Sequence, residues 1–442
     1  MRIFFVCRLK EHFMGHQASS KMMYGPADKP PIKQWIPLSI QHVFAMFGAT
    51  ILVPILTGLS PSTALFTAGT GTLLYILITK AKVPAFLGSS FAFIPALIAI
   101  TAAYGLPYAM GGAFVSGLFY SLVAFIIKKT GHNWLNRALP PVVIGSVIIV
   151  IGLNLAPTAV NMAMFDGNGD YSLFFLMIAC VTLAVTIIAN LFSKGFFSII
   201  PLLLGLLSGY FFALIMGIFF PEFALISFAG VKEAAWFGLP TFALPKFNFV
   251  ASVTFIIVSL ATICEHLGDT LTISKVVGKD FYKDPGLHRT LAGDGVATLW
   301  ASFWGGPPNT TYGENIGVLA LTRVYSVWVT GGAAVIAILL SFFPKFGALI
   351  QTIPNPVLGG ISMLLFGTIA SSGLRTLVDS GVDYEDKRNL TISSVILVIG
   401  IGGGLLSFSI GDNLQFSLGG VALATLVGIL LNALIPKEKI AK

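Results

Sequence analysis

The sequence predicts an all-α polytopic membrane protein with fourteen transmembrane segments in two inverted sets of seven. Three observations predict it. The apolar composition is cut into runs of bilayer length, Lys and Arg are distributed one-sidedly, and several matches recur at one fixed offset. The chain has 442 residues, 56% hydrophobic and 10% charged, whereas a soluble domain carries about 25% charged residues. From Leu38 onward, apolar runs of about 20 residues recur, each long enough to cross the hydrocarbon layer as a helix. The expected spans are 37–57, 62–80, 85–101, 107–128, 139–156, 171–193, 198–219, 249–274, 290–304, 309–322, 324–343, 346–372, 390–409 and 415–435. Spans three and ten are short or broken.

Residues 1–36 form a polar, basic lead-in, read as a disordered cytoplasmic segment. Its apolar piece, IFFVC, is too brief for a signal-peptide core, and Met22 and Met23 offer alternative starts. With the N-terminus inside, 23 of the 26 Lys and Arg fall in cytoplasmic segments; only Lys232, Lys246 and Lys345 fall outside. That asymmetry is the positive-inside pattern, and it places both termini in the cytoplasm and the protein in the cell membrane. It also explains the formal charge of +8 through anionic lipid rather than a nucleic-acid partner. Cys7, Cys180 and Cys264 are scattered and odd in number, so neither a disulfide framework nor a metal motif is expected.

The repeat shows as matches 224 positions apart. Gln41-His42 corresponds to Glu265-His266, AGTG at 68–71 to AGDG at 292–295, Pro84 to Pro308, and Ser90 to Glu314. Seven spans separate equivalent points, and an odd number inverts the second copy. Inverted repeats with broken segments at mid-membrane are a signature of secondary transporters, because freed backbone groups there face a ligand instead of lipid. GSSFAF (88–93) and NTTYGENIG (309–317) are the paired broken segments, each behind a proline.

Of the 18 acidic residues, only Glu265, Asp269, Asp294 and Glu314 fall within apolar spans. Facing lipid, each would cost about 2.5–3.5 kcal/mol, so they must face a polar interior. Glu265 and Asp269 are one helical turn apart and share a face. With no cation at that depth, the pair is expected to hold a shared proton, a coupling device that needs neither metal nor cofactor. Asp294 reads either as a member of this relay or as a packing acid held by neighbouring amides. His42 reads either as a relay or as a tie between span one and its neighbours. His266 lies on another face and reads as packing. No Walker loop, HExxH or GxSxG is present, which argues against an ATPase or an intramembrane enzyme.

At these residues the chain resembles the nucleobase–ascorbate transporter family, also called nucleobase–cation symporters, and within it the uracil-carrying branch. The matching stretches are LSIQHVFAMFGATILVP (38–54), VPAFLGSSFAFI (83–94), EHLGD (265–269), DPGLHR (284–289), PNTTYGENIGV (308–318) and IPNPVLGGISMLLFG (353–367). The resemblance implies a proton-driven uracil importer working by alternating access. It implies a core domain built from 37–130 and 247–344 and a gate domain built from 131–246 and 345–436, followed by a cytoplasmic tail at 437–442. Spans three and ten would include short antiparallel strands, and the gate domain would form a homodimer. Carried over to this chain, Glu265 and Glu314 resemble the carboxylates that accept from the nucleobase N–H groups. Phe91 and Gly313 resemble the residues whose amides meet the ligand, with Tyr312 and Ser90 beside them. Asp269 and Glu265, with His42 and Asp294, would handle the proton. Two departures stand out. Some uracil carriers have histidine at Asp269, and Phe366 stands where they commonly have tyrosine. Xanthine or urate transport is the alternative within the family, although its purine branch usually has Gln-Asn where this chain has Glu314-Asn315. An anion exchanger of similar fold, as in sulfate-permease relatives, would be expected to offer buried positive charge at its site.

Overall fold

The structure, a computed structural model, describes residues 22–410 and 414–436. The first 21 residues of the lead-in and the tail 437–442 lie outside the described residues. The chain opens with α1 (Ile32–Thr57) and α2 (Pro61–Ile78), then strand β1 (Leu87–Ser89), a single 3-10 turn at Phe91–Phe93, and α3 (Ile94–Tyr104). Next come α4 (Leu106–Thr130), α5 (Asn133–Ala138), α6 (Pro141–Asn154), α7 (Ala156–Met164), α8 (Leu173–Phe192), α9 (Pro201–Phe219) and α10 (Ala229–Glu233). The second half begins with α11 (Phe249–Val277) and α12 (Leu287–Phe303), then β2 (Asn309–Thr311), α13 (Gly313–Thr322), α14 (Val327–Ser341), α15 (Pro344–Gln351) and α16 (Asn355–Asp379). It closes with α17 (Lys387–Ile401), β3 (Leu405–Ile410), β4 (Leu414–Gly419) and α18 (Gly420–Leu434).

Among the described residues, eight helical stretches are long and apolar enough to cross a bilayer. A ninth is the pair α14–α15, bent by 88° at its break. The protein is thus a multi-pass membrane protein. Its helices bury small residues against one another, as helix pairs in lipid do.

Segments three and ten are broken as their prolines and glycines require. In each, a strand of three residues is followed at once by a short helix. The two strands pair antiparallel, with Leu87 opposite Thr311, Gly88 opposite Thr310 and Ser89 opposite Asn309. The ribbon satisfies its own backbone away from the lipid. Ser90 N–H to Pro308 O (2.8 Å) and Tyr312 N–H to Phe86 O (3.1 Å) extend it at both ends. Gly88 is needed by contact: a Cβ there would overlap the ring of Tyr312.

Three expectations change. The lead-in is not free from residue 22 onward, because residues 23–28 hydrogen-bond to the corner after α13, and α1 begins at Ile32 rather than at 37. The span expected at 346–372 is divided into α15 and α16, with Pro354 at the N-cap of α16. Spans thirteen and fourteen are not continuous helices, since β3 and β4 form a hairpin between α17 and α18. The reason is legible in retrospect. Three glycines, 402–404, end α17, and LLSFSI and LQFSLG alternate apolar and polar residues with the strand period of two. Their hydropathy alone reads as a span.

The most extensive helix contacts are α12 with α4, α16 with α6, and α14 with α2. The 29-residue α11 packs on α4 and α13, and also on α6 and α18. The acids Glu265 and Asp269 therefore sit on a helix packed against four others.

Candidate functional site

A cavity of about 510 Å³ opens beside the β1–β2 ribbon. Its inner wall holds Phe91, Glu265, Asp269, Thr310, Thr311, Tyr312, Gly313 and Glu314. Its outer wall holds Asn190, Ser198, Thr272, Ser371, Ser372 and Arg375. Two broken segments and one continuous helix build the inner wall. Helix α11 supplies Glu265 and Asp269 from successive turns of one face. Strand β2 supplies the two threonines, and α13 starts at the wall with Gly313 and Glu314.

The carboxylates are held by neighbouring hydroxyls. Thr311 Oγ1 donates to Asp269 Oδ2 at 3.0 Å, and Thr310 Oγ1 donates to Glu265 Oε2 at 3.4 Å. Glu265 and Asp269 keep 9% and 8% of their surface, and that remainder faces the cavity. Glu314 is half-buried and Gly313 is exposed in the wall. A Cβ added at Gly313 would meet no protein atom within 4 Å, so the space before its backbone is open to a ligand. The first amides of α13 have no partner within the helix and carry its positive dipole end toward the cavity.

Aromatic rings form the apolar walls. Phe91 stands edge-on to Phe366 of α16, with ring centroids 5.7 Å apart. Tyr312 is buried; its hydroxyl donates to Ser89 O at 3.1 Å and accepts from Thr50 Oγ1 at 3.2 Å. The arrangement offers carboxylate acceptors, amide donors and flat apolar surface around one small space. It suits a flat ligand with both N–H and C=O edges.

The remaining residues expected at the site lie behind the wall. Ser90 is fully buried, and its backbone closes the ribbon. His42 accepts from Asn315 Nδ2 at 3.0 Å on Nδ1, and its carbonyl accepts from the same group at 3.1 Å. It ties α1 to the first turn of α13. Asp294 is 2% exposed, and its Oδ2 meets His266 Nδ1 at 2.7 Å. His266 Nε2 also lies 3.0 Å from Thr290 Oγ1, so α11 and α12 are joined by a buried polar cluster apart from the cavity wall. Sequence reasoning did not single out Thr310 and Thr311, nor the outer wall with Arg375. Two adjacent threonines in NTTYGEN, opposite an acid pair on another helix, were a signal, but only the fold brings them within reach. No group of three or more His, Cys, Asp and Glu side chains able to hold a metal occurs among the described residues.

A sequence model described as "Permease family" (Xan_ur_permease) matches residues 33–409. A uracil permease of Bacillus subtilis strain 168 is 53% identical over 432 residues, covering 96% of this chain and 97% of that protein. A uracil permease of Bacillus caldolyticus is 54% identical over 415 residues, covering 92% and 94%. In fold, the chain resembles the transmembrane domain of a cyanobacterial bicarbonate transporter, BicA, with a TM-score of 0.63 at 14% identity over 91% of this chain and 97% of that one. A match this long in family and in sequence makes the chain a member of this permease family, the nucleobase–ascorbate transporters.

Proposed function

We propose that the protein imports uracil by proton symport. One observation carries the reading: a single cavity brings together the carboxylates of Glu265 and Glu314, the open N-terminus of α13 at Gly313, and the ring of Phe91. Uracil presents two N–H donors and two carbonyl acceptors around a flat ring. Carboxylates accept from the first, and backbone amides donate to the second. The relatives named as uracil permeases support this choice of base. Glu at 314, where a glutamine would mark the purine branch, favours uracil over xanthine or urate. An anion exchanger is disfavoured because three carboxylates line the cavity and Arg375 is the one Lys or Arg in its wall among the described residues.

Proton coupling follows from the same wall. Binding a neutral base beside three acids leaves uncompensated charge in a low-dielectric space, and charge neutralisation by a proton removes that cost. Asp269 is one turn from Glu265 and touches the base-binding wall, so these two are proposed to take up the proton. His42 and Asp294 are assigned to holding α13 and α12 in place around them. No cofactor is invoked; the proton is the coupling ion.

The transport cycle rests on fourteen spans in a seven-plus-seven inverted repeat. The strand pairing supports this: Leu87 opposes Thr311, its equivalent at the repeat offset of 224, as a two-fold axis through that pair requires. The helix contacts support it as well, since α4 with α12 and α2 with α14 are exchanged by the same operation. The core (37–130 and 247–344) would then move against the gate (131–246 and 345–436), with the latter forming the homodimer. The outer wall runs to Arg375, at the end where Lys275 and Asp379 pair at 3.0 Å. By the positive-inside pattern this is the cytoplasmic end, so the cavity opens inward, with both termini on that side. Uptake of labelled uracil into proteoliposomes, in competition with unlabelled xanthine and urate, tests the reading. Loss of uracil uptake to xanthine rather than to excess uracil would transfer it to the purine alternative.

A further inference from the structure

Helix α13 has ten residues and is about 15 Å long. Gly313 and Glu314 stand at one end, and Arg323, in the left-handed conformation at φ 56°, stands at the other. The N-terminal segment grips that far end. Met23 N–H donates to Arg323 O at 3.2 Å, Tyr325 N–H to Tyr24 O at 2.8 Å, and Val327 N–H to Pro26 O at 3.0 Å. Ser326, fully buried, donates from Oγ to Asp28 O at 2.5 Å. The segment is itself shaped by a turn, with Asp28 N–H on Gly25 O at 3.1 Å and Gly25 N–H on Asp28 Oδ2 at 2.7 Å. It runs directly into α1, whose His42 accepts from Asn315 at the near end of α13.

We infer that residues 23–28 are a positioning strap that, with His42, fixes where α13 presents Gly313 and Glu314 to the ligand. A single continuous stretch holds both ends of the half-helix. A short rigid helix transmits a shift at Arg323 to Gly313, and a binding constellation tolerates about 0.5 Å of misplacement. The strap thus acts on affinity through α13 without touching the ligand. The inference rests on the uracil reading.

The test compares three purified proteins: the full chain, a chain lacking residues 1–21, and a chain lacking residues 1–29, each with an initiating methionine. Uracil binding is measured by calorimetry, and KM and kcat by uptake in proteoliposomes. The chain without 1–21 should match the full chain. The chain without 1–29 should bind uracil about tenfold more weakly, the loss of roughly one well-made hydrogen bond. Its KM should rise in step, while kcat at saturation changes less than twofold. Full-length Tyr325→Pro, which removes the N–H given to Tyr24, should show the same split if the shorter chain does not fold. Wild-type affinity in either folded variant overturns the strap. Loss of folding in both also overturns it and leaves the segment a stability role alone. A full chain that does not bind uracil refutes the functional reading instead.

Discussion

Leu87 and Thr311 face each other across a two-stranded ribbon of three residues a side, deep within the helical bundle. They are also 224 positions apart, the spacing of the other paired positions in the two halves. A residue facing its own equivalent is the pairing that a local two-fold axis through that pair would produce. Each strand leads at once into a short helix, and those helix starts, Phe91 and Gly313, line the cavity. The ribbon thus explains why polar, helix-breaking residues occur twice in an apolar chain.

The carboxylate at Glu314 is expected to accept directly from the base. Glu314→Gln and Glu314→Ala each remove the charged acceptor. A hydrogen bond to a charged group contributes about 1.5–3 kcal/mol, so uracil affinity should fall about 10- to 100-fold in each. Calorimetric titration of uracil into the purified variants checks this, with unchanged melting temperatures as the control for folding.

Gly313→Ala separates stability from binding. The added methyl meets no protein atom, and alanine favours the helical state over glycine by about 0.5–1 kcal/mol. The variant should melt no lower than the parent while binding uracil at least about tenfold more weakly, because its methyl occupies the ligand's space. Equal affinity would remove Gly313 from the site.

Gly88→Ala should behave in the opposite way. Its Cβ would overlap the ring of Tyr312, which is buried and hydrogen-bonded to Ser89 and Thr50. Overpacking of this kind costs about 1–3 kcal/mol. Thermal unfolding in detergent should show a lowered midpoint, with uracil protecting the variant less than it protects the parent.

Asp294→Ala tests the assignment of that acid to structure. The change leaves His266, fully buried, without the carboxylate 2.7 Å away. Leaving a buried hydrogen-bonding group without its partner costs about 1–3 kcal/mol, so this variant should lose more thermal stability than Glu314→Gln. Asp294→Asn, which keeps a hydrogen-bonding side chain, should recover part of it.

Much of this was legible before the fold was seen. The four acids stood out because an apolar chain leaves few places for a carboxylate. The break at 309–317 stood out because the prolines just before it and its two glycines oppose a helix. What was not legible needed three dimensions. Thr311 reaches Asp269 because β2 lies along α11, and nothing in a spacing of 42 positions says so. Strands β3 and β4 read as the facing ends of the spans 390–409 and 415–435 because their hydropathy outweighs their period-two alternation. The segment 23–28 looked like free polar chain because its partners, residues 323–327, are some 300 positions away.

The central claim is that uracil enters together with a proton through Glu265 and Asp269. Proteoliposomes loaded with a pH-sensitive dye and given labelled uracil outside test it most directly. Uptake should acidify the lumen in proportion to the uracil gained, and a protonophore should remove the acidification. Glu265→Gln should show neither signal. Accumulation of uracil by the parent protein with no change in lumenal pH would contradict the account.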